Sequence, residues 1–239
     1  MRKLFLSFLV MLFLVIMAAC GNDTATTKET KKETEPAQTE TKTADTEKEN
    51  KPAAEETTAS EQEVDVPGLG HMKTVGIGFN DEVGIDGTDA PLKPIEMGSM
   101  KLTINGLAVY DVKPEEDMKF FFNNQDEARA IVIDMEAENT SDEDINFNPN
   151  QAILVTDTGE QLDAEIGMMG EAGGDFLGKV KKSGQSTWIV KNMDKDIKKV
   201  TMIISSPYKV DGFANTAEEK RIVFDVLTWE EALKKDGKK

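Results

Sequence analysis

With 45 acidic against 28 basic side chains in 239 residues, the chain carries a formal charge of −17. A surface this acidic repels nucleic acid and anionic lipid headgroups, which sets both aside as ligands. One cysteine and one histidine exclude an internal disulfide and leave a zinc site of the usual nitrogen and sulfur type without ligands.

The chain opens with Arg2 and Lys3, followed by an apolar run from Leu4 to Ala19 that only Ser7 interrupts. A basic start, an apolar stretch and small residues before a cut read as a secretory signal peptide over residues 1–19. The run falls short of the roughly 20 residues that cross a bilayer. The stretch Met17-Ala18-Ala19-Cys20-Gly21 resembles the lipobox of bacterial lipoproteins, with Met17 where that group usually has leucine. The resemblance implies cleavage before Cys20, diacylglycerol on its thiol, and a protein anchored to cell-membrane lipid that faces the extracellular side. Two acyl chains anchor stably where one does not. Loss of Arg2 and Lys3 with the peptide would bring the charge to about −19.

Residues 20–65 are expected to form a lipidated tether. Thr, Glu, Lys, Ala and Asp dominate, and no apolar residue larger than alanine occurs before Val64, Pro36 and Pro52 aside. Such a composition buries too little apolar surface to balance chain entropy, so disorder is expected. A flexible coil of this length spans about 40 Å.

Residues 66–239 form the expected single domain. Met100, Leu102 and Ile104 alternate with polar residues, and Gly106 marks a bulge before Leu107 and Val109. Ile131, Ile133, Met135 and Ala137 alternate with Val132, Asp134, Glu136 and Glu138, the pattern of an antiparallel strand with one packed and one wet face. Further strands are predicted at Ala152–Thr156, Gln185–Val190, Val200–Ser205 and Arg221–Val226, with an additional one at Val75–Phe79. Turn residues bound them at Asp157-Thr158-Gly159, Lys182-Ser183-Gly184, Ser206-Pro207 and Asp211-Gly212. Thr228-Trp229-Glu230-Glu231 matches a capping box and predicts a short C-terminal helix. Short strands without alternating helices indicate an all-β, immunoglobulin-like antiparallel β-sandwich.

The segment Ala137-Glu138-Asn139-Thr140-Ser141-Asp142-Glu143-Asp144-Ile145-Asn146-Phe147, with the later Asp157-Thr158-Gly159 turn, is similar to telokin-like, immunoglobulin-fold domains of unknown function in Gram-positive lipoproteins. Ser183-Gly184 stands where that group often shows Pro-Gly. The resemblance, over roughly residues 98–227, implies a fold and a location but no activity.

Residues that could carry chemistry are few. Asp142, Asp144, Asn146 and Asn148 place oxygens at alternate positions, as at the start of a calcium loop. Phe147 and Ile153, however, occupy the positions where an EF-hand needs glycine and glutamate. The favoured reading is a strand whose wet face these residues form opposite Ile145 and Phe147, with weak calcium binding as the alternative. His71 reads as an exposed linker residue, and no Gly-x-Ser-x-Gly elbow exists for it to serve. Gly76, Gly78 and Gly84 lack dinucleotide-fingerprint spacing, and no carboxylate pair stands out as a glycosidase couple. The glycine-rich stretch Gly167–Gly178 with Met168, Met169, Phe176 and Leu177 either caps the sandwich or forms an interaction surface. Trp188 and Trp229 are expected to pack in the core or under the helix.

No enzyme, metal or cofactor is therefore expected. The expectation is a non-enzymatic binding module at the cell surface, meeting a surface protein or wall component. The alternative is a small-ligand or metal-ion (calcium) binding lipoprotein associated with a transporter.

Overall fold

The computed structural model describes residues 62–236. The signal peptide, Cys20 and the tether up to residue 61 lie outside the described residues.

The domain is antiparallel throughout, with one α-helix at its C-terminal end, as the alternating pattern predicts. Its strands are β1 (Glu63–Val66), β2 (Gly70–Phe79), β3 (Ile95–Met97), β4 (Met100–Pro114), β5 (Ala128–Asn139), β6 (Ile145–Phe147) and β7 (Ile153–Thr156). They continue as β8 (Gln161–Leu162), β9 (Gly174–Phe176), β10 (Lys181–Val190), β11 (Lys199–Ile204), β12 (Tyr208–Lys209) and β13 (Lys220–Leu227), followed by α1 (Trp229–Asp236). The first strand thus begins inside the stretch that composition assigns to the tether.

The main sheet runs β10-β5-β4-β2-β13-β11-β7-β8, with β1 added to β2 and β3 to β4. Its far end returns to its beginning: Ala164 bridges Trp188, and the Glu165 amide donates to the Thr187 carbonyl at 2.8 Å. The sheet therefore wraps so that its halves face each other, a sandwich continuous along one side, or half-barrel. A small sheet, β12-β6-β9, adds Ile145, Phe147 and Phe176 to the enclosed core.

Two residues show how local chemistry sets this architecture. On β4 the inward parity is even up to Ile104 and odd from Leu107, because the register shifts between Ile104 and Gly106. Without that extra residue Leu107 and Val109 would face away from Ile133 and Ile131, their partners on β5. Trp188 is fully buried, and its indole N–H donates to the Ala152 carbonyl at 2.8 Å, tying β10 to the start of β7. The capping box forms as read: the Thr228 amide donates to Glu231 Oε2 at 3.0 Å and the Glu231 amide to Thr228 Oγ1 at 3.3 Å. The Thr228 amide, and then the Thr228 hydroxyl donating to the same Oε2 at 3.0 Å, hold the Glu231 carboxyl below its usual range.

Three expectations need correction. The second face of β5 is not wet along its length: Ala128, Ala130 and Val132 are buried in a second core with Tyr110, Val112, Val66, Leu69 and Met72. The cover comes from a 3₁₀ segment, Glu116–Phe122, which buries Phe122 and packs Met118 and Phe121 against this face. Gly184 is not a turn; it lies inside β10, paired with Met135. His71 is not a linker residue but part of β2, paired with Lys113 of β4 and Asp65 of β1.

Where the second face leaves its core, Asp134 is 3 % exposed and accepts a hydrogen bond from Asn105 Nδ2 at 3.1 Å. Burial, ahead of its hydrogen bonds, raises its pKa. A carboxyl whose folded pKa exceeds its unfolded one binds more protons when native, so its contribution falls as pH rises through that interval and stays unfavourable above it. Asp134→Asn is accordingly expected to raise the melting temperature by a few degrees at pH 7. The two proteins should converge near pH 3, where the carboxyl is protonated in both states. A lower melting temperature at pH 7 for the variant would show that the ionised form is the stabilising one.

Candidate functional site

The parity that buries Val109 and Ile131 continues on β4 and β5 past the core, and there the side chains turn charged. Across β1, β2, β4 and β5 two rows run side by side. The first is Asp65, His71, Lys113 and Glu127, the residue just before β5; the second is Glu63, Lys73, Asp111 and Arg129. Signs alternate along the second row, and in the first Asp65 meets His71 and Lys113 meets Glu127, so acidic side chains pair with basic ones across the strands. Lys73 Nζ lies 2.9 Å from Glu63 Oε1, and Lys113 Nζ 2.9 Å from Glu127 Oε1. Lys73 holds the Glu63 carboxyl below its usual range, and Glu127 raises the Lys113 ammonium above its own. His71 Nδ1 sits 2.8 Å from Asp65 Oδ1, and Nε2 lies 3.7 Å from Glu63 Oε2.

The best-buried pair closes the second row. Arg129 is 8 % exposed; its Nε and Nη2 donate to the two Asp111 oxygens at 2.7 and 3.1 Å, and Nη1 donates to the Lys195 carbonyl at 3.0 Å. Together with Val112 and Met193, the mosaic residues other than Asp65 and Arg129 line a cleft of about 260 Å³, at the small end for an organic ligand. Chemically it is a surface of mutually neutralised charges, with its cations already engaged.

The acidic stretch at residues 142–148 behaves as the strand reading expects: Ile145 and Phe147 are buried and the polar residues face outward. Its side chains hold the neighbouring loop. Asp144 Oδ1 accepts from the Gly178 amide at 2.9 Å, Asn148 Oδ1 from the Gly174 amide at 3.0 Å, and Asp175 Oδ1 from Asn146 Nδ2 at 2.6 Å. Asp142 and Glu143 pair with Lys179 and Lys209. Among the described residues no three His, Cys, Asp or Glu side chains converge as a metal-binding group.

The glycine-rich stretch is packed, not free. Ala172 and Phe176 are fully buried, and Met168 is buried in the second core. Gly170 lies against the backbone of Gly184 and Gln185, and a side chain at Gly173 would overlap Asn150. Leu177 alone of its large apolar residues is well exposed.

An exposed apolar cluster escaped the sequence reading. Phe120 is 75 % exposed and Ile166 83 %. They come from different segments that touch: the Phe120 and Phe121 rings meet edge to face at 5.6 Å, and the backbone at Gly167 lies against the Phe121 ring. The signal available was the run Met118-Lys119-Phe120-Phe121-Phe122, which has neither strand nor helix periodicity and so received no element.

Among the described residues no helix is long and apolar enough to cross a membrane. Residues 88–188 match a domain of unknown function, DUF5068; both segments of the apolar cluster fall inside this region, whereas Glu63, His71 and Lys73 fall outside it. The chain is 37 % identical over 84 residues to the SPbeta prophage-derived uncharacterized lipoprotein YonS of Bacillus subtilis (strain 168), covering 34 % of this chain and 41 % of that one. It thus spans about two fifths of the curated relative it matches. A functionally unknown protein from Listeria monocytogenes EGD-e superposes with a TM-score of 0.43 at 13 % identity, over 66 % of this chain and 88 % of that one. The yjhA protein from Bacillus subtilis gives 0.37 at 13 % identity, over 54 % and 94 %. By sequence, then, this chain is similar over residues 88–188 to a domain of unknown function, and over a shorter stretch to an uncharacterized bacterial lipoprotein.

Proposed function

We propose that this chain is a lipoprotein held on the outer side of the cell membrane through Cys20, and that its β domain is a non-enzymatic binding module. The lipobox-like Met17–Gly21 stretch and the similarity to a lipoprotein support the anchor. The turn motifs around Asn139 and Gly159 support a telokin-like reading of the domain. One observation carries the binding reading. Phe120, Ile166, Leu177 and Phe213 are each more than 60 % exposed, and all four lie on connections outside the strands. Large apolar side chains fixed in water on a rigid scaffold are the usual anchors of recognition.

Two measurements test it. Cys20→Ala should release the protein from the membrane fraction into the medium; retention there would refute lipid anchoring at this residue. In intact cells, photo-crosslinking residues placed singly at Phe120, Leu177 and Phe213 should yield a discrete adduct from at least one position. Silence at all three would remove the binding reading.

A further inference from the structure

We propose that the surface formed by residues 115–127 and 163–171 docks a cationic, amphipathic segment of a partner protein; this rests on the binding-module reading and gives it a place and a chemistry. Phe120 and Ile166 are exposed on two segments that meet where the Phe121 ring, itself touching Phe120, lies against the backbone at Gly167. The spot stands on the second core, where Phe122 and Met168 are buried beneath it. An anchoring partner would therefore meet side chains held by a fixed base rather than a loose loop.

The rim is acidic. Residues 115–127 hold five carboxylates, Glu115, Glu116, Asp117, Asp126 and Glu127, against a single cation, Lys119; residues 163–171 add Asp163, Glu165 and Glu171 and no cation. Lys119 is itself engaged, 2.6 Å from Glu116 Oε2 and 2.8 Å from Asp126 Oδ1. Glu127 is likewise engaged, by Lys113, which leaves a surplus of carboxylates on both segments. An apolar centre beside a surplus of one sign is complementary to apolar side chains flanked by the opposite sign.

The same features weigh against other occupants. Residues 21–61 of this chain offer lysines but, two prolines aside, no apolar side chain larger than alanine. A second copy would bring an identical acidic rim against this one, and an anionic lipid surface would be repelled.

The test uses the full mature chain and defined probes: an amphipathic peptide of leucine and lysine, its leucine and glutamate counterpart, and vesicles of phosphatidylcholine. The lysine peptide should bind, more weakly as salt rises, and the glutamate peptide should not. Phe120→Ser with Ile166→Ser should weaken binding about tenfold or more. Asp117→Lys with Glu165→Lys, which spares the carboxylates paired with Lys119, should weaken it about fivefold. Phe120, Ile166 and Asp117 are exposed and Glu165 partly so, so melting temperatures should stay close to wild type, and Phe213→Ser should leave binding unchanged. Equal binding of both peptides, or lysine-peptide binding indifferent to both double variants, would overturn the proposal. So would vesicle binding or self-association that the Phe120 and Ile166 changes abolish. In cells, adducts from Leu177 or Phe213 but none from Phe120 would refute this surface while leaving the binding module standing; silence at all three would refute both.

Discussion

Gly170→Ala is expected to destabilise the domain by about 2–3 kcal/mol in urea unfolding, although the residue sits in what reads as a flexible glycine-rich loop. A Cβ at this position would lie 2.5 Å from the Gln185 carbonyl oxygen, 2.6 Å from its amide nitrogen and 2.7 Å from the Gly184 carbonyl carbon. All three are backbone atoms of β10 and cannot rotate away. Separating the chains would also strain the bond from the Gly170 amide to Ser186 Oγ (3.1 Å) and that from Asn150 Nδ2 to the Gly170 carbonyl (2.8 Å). Gly184→Ala meets the same crossing from the other side, at 2.7 Å from the Glu171 amide. It should cost a similar amount, and the double variant should cost less than the sum, because one displacement relieves both. Gly159→Ala is the control. Nothing lies within 4 Å of its Cβ, and only its φ of +92° is unfavourable. A loss under about 0.5 kcal/mol for Gly170→Ala, within the range of ordinary surface changes, would mean that the loop moves freely on β10. Excising Gly167–Gly178 would remove this crossing together with β9 and two fully buried core residues, Ala172 and Phe176. Single-residue changes are therefore the way to test the loop's function.

The same crossing explains where sequence reading succeeded and where it stopped. Alternation on β4, β5, β11 and β13 was legible because a side-chain period of two directly records which face is buried. The bulge was legible too, since Gly106 stands where the apolar parity of β4 changes. Glycine, however, reads alike whether it serves a left-handed turn, as Gly159 and Gly212 do, or a close approach between two chains, as Gly184 does. The second core was hidden for a related reason. Ala128, Ala130 and Val132 are small, and their cover comes from an irregular segment whose three consecutive phenylalanines point different ways: Phe122 in, Phe121 half in, Phe120 out. No periodicity encodes that. The acidic rim was visible in composition, but only tertiary contact between the Phe121 ring and Gly167 brings its two halves together. His71 was misplaced because its glycine neighbours, Gly68 and Gly70, read as linker, whereas both take positive φ in the β1–β2 turn region.

Asp111→Ala is expected to destabilise the domain by about 3 kcal/mol, and Arg129→Met by about half as much. Both remove the same bidentate pair, but they leave different remnants. Without Asp111, the guanidinium of Arg129 stays buried with the Lys195 carbonyl as its remaining hydrogen-bond partner. Asp196 acts on it only through space, and a buried charge that has lost its hydrogen-bonded counter-ion is the costly outcome when such a pair is broken. Without Arg129, the Asp111 carboxylate keeps a third of its side chain in water, and Lys73 stands opposite it on β2. The remaining charge is then hydrated and partly neutralised. Asp111→Leu with Arg129→Met should recover much of the loss, because an apolar pair of similar volume incurs no desolvation of charge. Urea unfolding of the four proteins, with a double-mutant cycle, decides between this and a surface pair. Equal losses below about 0.5 kcal/mol would place the interaction among exposed ion pairs of little consequence. Arg129 joins β4, β5 and the β10–β11 connection, behind Asp111, which lines the cleft. The larger loss would therefore identify this ion pair as the element that holds the charged mosaic in register, with its cations already committed to structure.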